Sequence, residues 1–303
     1  MEKENRRIGR PAKSALHSAW LFAFLWIFGC IDSSFYYPDD RVYHTPSDYG
    51  LDYKSVTFQS ADGTRLRGWL IPALGTSYGT VLYFYGNFAN RTYYLDHIHW
   101  FPRMGFNVFT FDYRGYGASE GSVDRSGLYM DSVAAIEYVQ SSPDIDSSNL
   151  FIYAQSLGGV FAIAALAHND FSGIRALAVE STFTSFRAEA RYMMKQKTPK
   201  AIGRIPCLTW PIRPVTYLGL SNAYSPIDLV DRIAPVPLLI IHCASDTAVP
   251  FDHAEQLYER ANDPKYLWAV DGCEHVTLFT KWDHSDAYRQ KLAAFFKSRG
   301  EAD

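Results

Sequence analysis

The run Leu150-Phe151-Ile152-Tyr153-Ala154-Gln155-Ser156-Leu157-Gly158-Gly159 decides how the rest of the chain reads. A short apolar segment ends in a serine, and small residues follow where a helix can begin. That is the form of a nucleophile elbow, Gly-x-Ser-x-Gly, with Ala154 in the first glycine position. The residue types have a geometric cause. The turn strains the backbone at the serine and brings strand and helix so close that the flanking positions must be small. Alanine leaves nearly the same space free. A serine between small residues also occurs in ordinary strand-to-helix loops, so the reading depends on what surrounds this stretch.

Outward from it the chain alternates. Apolar, β-branched or aromatic runs at 55–59, 66–71, 80–85, 107–112, 150–155, 176–180, 237–242 and 266–270 predict strands, the first two joined through Ala61-Asp62-Gly63 as a hairpin. Most are continuously apolar, as in parallel strands buried on both faces. Apolar residues at helical spacing predict helices over 127–140, 158–168, 251–262 and 283–298. Alternation of this length implies an α/β fold, a mostly parallel central sheet with helices on both faces. Residues 183–224 interrupt the rhythm. The segment 183–194 reads as helix, and then Pro199, Pro206, Pro211 and Pro214 fall among Trp210, Tyr217 and Leu218. We read this apolar insertion as a short lid over a pocket, because exposed apolar side chains need something to cover; the alternative is a long surface connection.

Ligands of open α/β sheets sit at the carboxyl ends of the strands. Ser156 follows the strand at 150–155, Asp246 follows the one at 237–242, and His275 follows the one at 266–270. A serine hydroxyl is a weak nucleophile until an imidazole takes its proton, and the imidazole needs a carboxylate to fix its tautomer. Each residue alone has a plainer reading, Asp246 as a helix cap and His275 as a surface loop residue. Three separate loops carrying the right types in the order Ser, Asp, His point to a triad, and Glu274 is a weaker rival for the acid. The oxyanion hole is expected from the backbone N–H of Leu157 and of Asn87, where Gly86 permits close approach. His97-x-His99 lacks metal-site spacing and no Cys-x-x-Cys occurs, so neither metal nor cofactor is expected. Gly115-x-Gly117-x-x-x-Gly121 has one residue too many for a dinucleotide loop and reads as a turn-rich connection.

The chain has 303 residues, 48% apolar, with 21 Tyr and 20 Phe, enough for one large domain with a substantial core. A net charge of −3 without basic clusters gives no footprint for nucleic acid. At the amino terminus Arg6, Arg7, Arg10 and Lys13 precede an apolar run from Ala19 to Phe28. This is a secretory signal pattern, with an apolar run shorter than a membrane span needs. Ile27-Phe28-Gly29-Cys30 resembles the lipobox of bacterial lipoproteins, which implies cleavage before a lipidated Cys30, although Phe28 is larger than that pattern usually takes. A signal anchor over 15–31, carrying His17, and an unrelated buried segment are the alternatives. The expected organisation is a signal peptide or anchor at 1–29, a linker at 30–50 and a domain at 51–303. The lipoprotein reading puts that domain at the periplasmic or cell surface, tethered to a membrane.

The triad order, the elbow and Phe111-Asp112-Tyr113-Arg114-Gly115-Tyr116-Gly117-Ala118-Ser119-Glu120-Gly121 together resemble the α/β-hydrolase superfamily, over roughly 51–297. The most similar group is that of short-lid, membrane-associated serine hydrolases related to serine aminopeptidases and monoglyceride lipases. The resemblance implies an acyl-transferring hydrolase with a small-molecule or lipid-like acyl substrate. Tyr85-Gly86-Asn87 stands where such proteins have His-Gly-Asn, a departure that touches the oxyanion loop and not the nucleophile. Cys243 and Cys273 stand where the family has glycine and a small residue. Their strands should be neighbours, which implies a disulfide bracing the acid and base loops in an oxidising compartment. An aminopeptidase would need an acidic patch for the substrate amine, for which Glu180 is the candidate near in sequence. A binding module without turnover is the alternative from another class.

Overall fold

The computed structural model describes residues 35–197, 222–278 and 282–300. Eight strands form one sheet: β1 (Lys54–Gln59), β2 (Arg65–Ile71), β3 (Thr80–Phe84), β4 (Asn107–Asp112), β5 (Leu150–Gln155), β6 (Ile174–Glu180), β7 (Leu238–Cys243) and β8 (Lys265–Val270). Their spatial order is β8-β7-β6-β5-β3-β4-β2-β1. β2 runs antiparallel to both β1 and β4, and every other pairing is parallel. All eight expected strands are present, with bounds shifted by at most two residues at the ends.

Burial follows from position in the sheet. β3, β5 and β7 are buried along their whole length, which is why their sequences show no polar alternation. The edge strand β1 alternates exposed and buried from Ser55 on, as a strand with one solvated face must.

Five helices matter for the site: α1 (Arg125–Ser141), α2 (Leu157–His168), α3 (Phe186–Lys197), α4 (Asp252–Arg260) and α5 (Trp282–Lys297). The two faces separate by residue parity along β5. Phe151 meets Phe296 of α5 at 5.2 Å between ring centroids, and the Tyr153 hydroxyl lies 2.6 Å from that of Tyr288. On the other face Phe84, paired with Ala154, packs edge-on to Phe111, and Phe58 stacks on Tyr138 of α1. Helices therefore cover both faces, as the alternation implied.

Chain order reverses at β3, whose neighbours are β4 on one side and β5 on the other. Such a switch point opens a crevice at the carboxyl ends of the strands. Phe84 pairs with Ala154 there, so the loop after β3 and the turn after β5 leave the sheet side by side.

Residues 35–50, read from sequence as linker, lie against the domain. Tyr37 and Pro38 pair in parallel with Phe88 and Ala89, and Tyr36 and Pro46 are buried. A two-residue pairing leaves no periodicity to read, which is why the sequence hides it. Of the expected lid, the first part is α3, and residues 198–221 lie outside the described residues, as does the amino-terminal segment with Cys30.

Candidate active site

Ser156 has φ 50° and ψ −115°, a conformation that L-residues avoid and that surrounding structure must impose. Its N–H donates to Glu180 O at 2.8 Å, and its carbonyl accepts from Gly159 N–H at 3.1 Å. The small residues are explained by contacts. A Cβ on Gly158 would stand 2.2 Å from Phe84 O, and one on Gly159 2.0 Å from Thr182 Oγ1. Ala154 instead lies within β5 with no positive φ, so a methyl group fits where the pattern has glycine.

The three candidate residues converge. His275 Nδ1 lies 2.8 Å from Asp246 Oδ2, and His275 Nε2 lies 3.2 Å from Ser156 Oγ. With Nδ1–H donating to the carboxylate, Nε2 is left as the acceptor for the serine hydroxyl. The other Asp246 oxygen accepts from the N–H groups of Ala248 and Val249, at 2.8 and 2.9 Å. Burial works to raise the Asp246 pKa, but the hydrogen bond and charge of His275 and the Val249 N–H outweigh it and hold it below the ordinary value. The helix-cap reading of Asp246 thus gives way to a carboxylate turned toward the imidazole.

The remaining expectation concerns an anion hole. Leu157 is the first residue of α2, so its N–H has no acceptor within the helix. Gly86 packs against the elbow, where an added Cβ would stand 2.9 Å from the Tyr94 hydroxyl and 3.5 Å from Ser156 Cβ, and Asn87 follows it in the chain. The Asn87 side chain is engaged elsewhere. It donates to Phe35 O and accepts from Tyr37 N–H at 3.3 Å and from the Tyr116 hydroxyl at 3.1 Å. Tyr85, in place of the histidine, is buried, stacks on Tyr94 and meets Tyr113 and Tyr116 edge-on, contacts that support the same loop.

Several contributors were not legible beforehand. His242, fully buried on β7, donates from Nε2 to Val249 O at 2.8 Å and lies 3.5 Å from Asp246; burial lowers its pKa and keeps it neutral. Gln155 accepts from Tyr83 and, at 2.8 Å, meets His97 Nδ1, while its amide donates to Glu180 Oε2 at 2.8 Å. Tyr153 and Tyr288 also donate to that oxygen. Glu180 is therefore locked under the elbow on the α5 side, with its pKa raised by burial, and does not reach out as an amine-binding acid. The glycine-rich loop wraps Asp112, whose carboxylate accepts from Arg91 N–H and Ala118 N–H at 2.9 and 3.0 Å. A Cβ on Gly117 would strike that carboxylate, so its glycine serves the turn.

Cys243 and Cys273 are joined as a disulfide, with Cα atoms 5.6 Å apart, between the end of β7 and the loop that carries His275. Ser245 Oγ donates to Cys273 O at 2.7 Å across the same junction. A cross-link closing a loop of this length (sequence separation 30) contributes about 3–4 kcal/mol in the chain-entropy account. Thermal unfolding of Cys243→Ala/Cys273→Ala should accordingly begin several degrees below wild type; an unchanged Tm would show the cross-link to be dispensable.

α3 packs over the acid loop, with the Tyr192 hydroxyl donating to Thr247 O at 3.0 Å. One turn earlier Glu189 is 6% exposed, and its Oε2 has no partner among the described residues. Burial, and then the charge of Asp246, push its pKa up to about 8. The folded protein thus keeps a proton that the unfolded chain loses in the ordinary glutamate range. Stability should fall as pH rises from there toward 8 and level off above, by a few kcal/mol at most. Melting curves at pH 5.5 and 8.5 check this: wild type loses Tm relative to Glu189→Gln across that interval, and parallel behaviour of the two proteins would refute it.

Comparison with known proteins adds the following. A family model described as serine aminopeptidase, S33, matches residues 76–215. The uncharacterized protein YfhR of Escherichia coli K12 is 34% identical over 268 residues, covering 87% of this chain and 86% of that protein. The α/β hydrolase domain-containing protein WAV2 of Arabidopsis thaliana is 33% identical over 225 residues, covering 72% and 69%. Among solved structures, the Pyrococcus furiosus esterase Pf2001 superposes with a TM-score of 0.68 at 23% identity, covering 86% of this chain and 98% of that one.

Proposed function

Because this chain belongs to the α/β-hydrolase superfamily, we propose that it is a serine hydrolase that cleaves a carboxylic ester or thioester through an acyl-enzyme. The observation that carries the reading is the alignment of Ser156 Oγ, His275 and Asp246 at 3.2 and 2.8 Å. In this mechanism Ser156 Oγ attacks the acyl carbon as its proton passes to His275 Nε2. The Asp246 carboxylate fixes the Nδ1–H tautomer and stabilises the imidazolium. Negative charge on the carbonyl oxygen is met by the N–H groups of Leu157 and Asn87. The imidazolium protonates the leaving group, and a water activated by the same ring then hydrolyses the acyl-Ser156 ester.

Ester and thioester substrates with an apolar acyl group are favoured by the apolar character of the inserted segment. Aminopeptidase-type amide cleavage is the second reading, and the engagement of Glu180 beneath the elbow speaks against that residue as its amine site. A binding module without turnover has no need of three aligned groups. The chain is further proposed to be held at a membrane through its amino-terminal segment, by lipid on Cys30 or by a signal anchor. The Cys243–Cys273 cross-link agrees with an oxidising compartment outside the cytoplasm.

The test is turnover of p-nitrophenyl esters of graded acyl length beside matched thioesters and anilides. Esters and thioesters should react with a pre-steady-state burst marking the acyl-enzyme, and anilides far more slowly. Preference for anilides would favour the peptidase reading, and turnover of none by folded protein would favour the binding module.

A further inference from the structure

We propose that the oxyanion-loop face of the domain, marked by Tyr37, Val42, Phe88 and Tyr93, docks on the surface of a lipid bilayer and turns the mouth of the site toward it. The inference rests on the membrane attachment proposed above. These side chains are 49%, 66%, 52% and 39% exposed, unusual for three large aromatics so close together. Tyr37 is the register partner of Phe88, and Phe88 meets Tyr93 edge-on at 5.3 Å between centroids. Tyr93 packs in the same way on Tyr43, over which the Arg41 guanidinium sits at 5.1 Å. Aromatic rings beside a basic side chain are the composition found where proteins meet the headgroup layer.

The leash sets the orientation. The apolar segment of the amino terminus runs to Phe28, and Cys30 is only five residues before Phe35. Fully extended, five residues span at most about 18 Å. Phe35 is fixed to the oxyanion loop through its carbonyl, which accepts from the Asn87 side chain. Asp39 continues the attachment, its carbonyl accepting from Gly117 N–H at 2.9 Å and from Asn90 Nδ2 at 2.8 Å. A membrane attachment at Cys30, or a signal anchor running to Ile31, therefore holds this edge of the domain, and not an arbitrary one, within about 18 Å of the bilayer. The carboxyl ends of the strands then face the bilayer, and an acyl substrate dissolved there reaches Ser156 without crossing bulk water. Without its first 29 residues the chain is acidic, near −6, so docking draws on the aromatic rings more than on attraction to anionic lipid.

The experiment uses the full-length chain in phosphatidylcholine vesicles containing a diazirine-bearing phosphatidylcholine. After photolysis, adducts are mapped by mass spectrometry. Leu74 and Tyr78, 55% and 56% exposed before β3 at the opposite end of the sheet, are the internal control. Adducts should concentrate on the peptides containing Tyr37, Val42, Phe88 and Tyr93. Labelling that is equal at Leu74 and Tyr78, or absent from both regions, overturns the proposal. This readout needs no turnover, so it decides docking even if the hydrolase reading fails. As a second measurement, Val42→Ser/Tyr93→Ser, which leaves the residues flanking Asn87 intact, should leave hydrolysis of a water-soluble short-chain ester near wild type. It should slow hydrolysis of a long-chain ester embedded in the vesicles by about tenfold or more, because an aromatic ring and an apolar side chain leave the interface. Equal loss on both esters, or loss on neither, contradicts the docking.

Discussion

Exchanging His275 for glutamine should lower kcat for a p-nitrophenyl ester by about 10⁴-fold or more while leaving the Tm close to wild type. The size follows from the geometry. His275 Nε2, 3.2 Å from Ser156 Oγ, is the acceptor placed to take the serine proton, and without it the hydroxyl stays a weak nucleophile. Stability should change little, because the ring is only half-buried and lies in a loop held independently by the disulfide and the Ser245–Cys273 hydrogen bond. Asp246→Asn should act through the same ring and cost about 10⁴-fold, since an amide cannot accept the Nδ1 proton from every orientation and selects the wrong tautomer. The double variant should be scarcely worse than the histidine variant alone, because the groups act as a unit. Steady-state kinetics with a melting curve for each protein checks all three. A His275→Gln enzyme within tenfold of wild type would remove the proposed base.

The second large effect is on the fold. Gly158→Ala should destabilise the protein by about 3 kcal/mol or more and abolish most activity with it, since overpacking against backbone cannot relax by a rotamer change. Its Cβ would meet Phe84 O at 2.2 Å and Tyr85 O at 2.6 Å, both main-chain atoms of the strand and loop that flank the oxyanion hole. Gly159→Ala supplies the contrast. Its Cβ strikes the side chain of Thr182, whose Oγ1 makes no hydrogen bond among the described residues and can turn away. Denaturant unfolding of the pair should therefore rank Gly158→Ala well below Gly159→Ala, and the reverse ranking would contradict the close approach of α2 to β3.

The difference between these residues also explains what could be read in advance. Ser156, Asp246 and His275 were legible because each stands at the end of a strand whose apolar run is strong, and strand ends of a doubly wound sheet share one edge. Gly158 was legible as a small residue but not as a contact with Phe84, since β3 and β5 become neighbours only through the order reversal at β3. Glu180 suggested an amine-binding acid from its position at the end of β6. Parity placed it on the α5 face, where Gln155, Tyr153 and Tyr288 enclose it, and no local pattern announces partners up to 108 residues away. Glu189 and His242 carry no sequence signal of a role, and only burial beside Asp246 gives them consequence. The arm at 35–39 was hidden for another reason: it is held by two residue pairs and the Asn87 side chain, a pairing too short to leave a periodic signature.

The central claim, that Ser156 is an activated nucleophile, is tested most directly by a fluorophosphonate probe followed by peptide mapping. The folded wild-type protein should take up one probe per chain on the peptide containing Ser156, and Ser156→Ala should take up none. His275→Gln should label far more slowly, because activation and not mere exposure is at issue. Labelling that persists in Ser156→Ala, or that never occurs in folded wild type, would contradict the account.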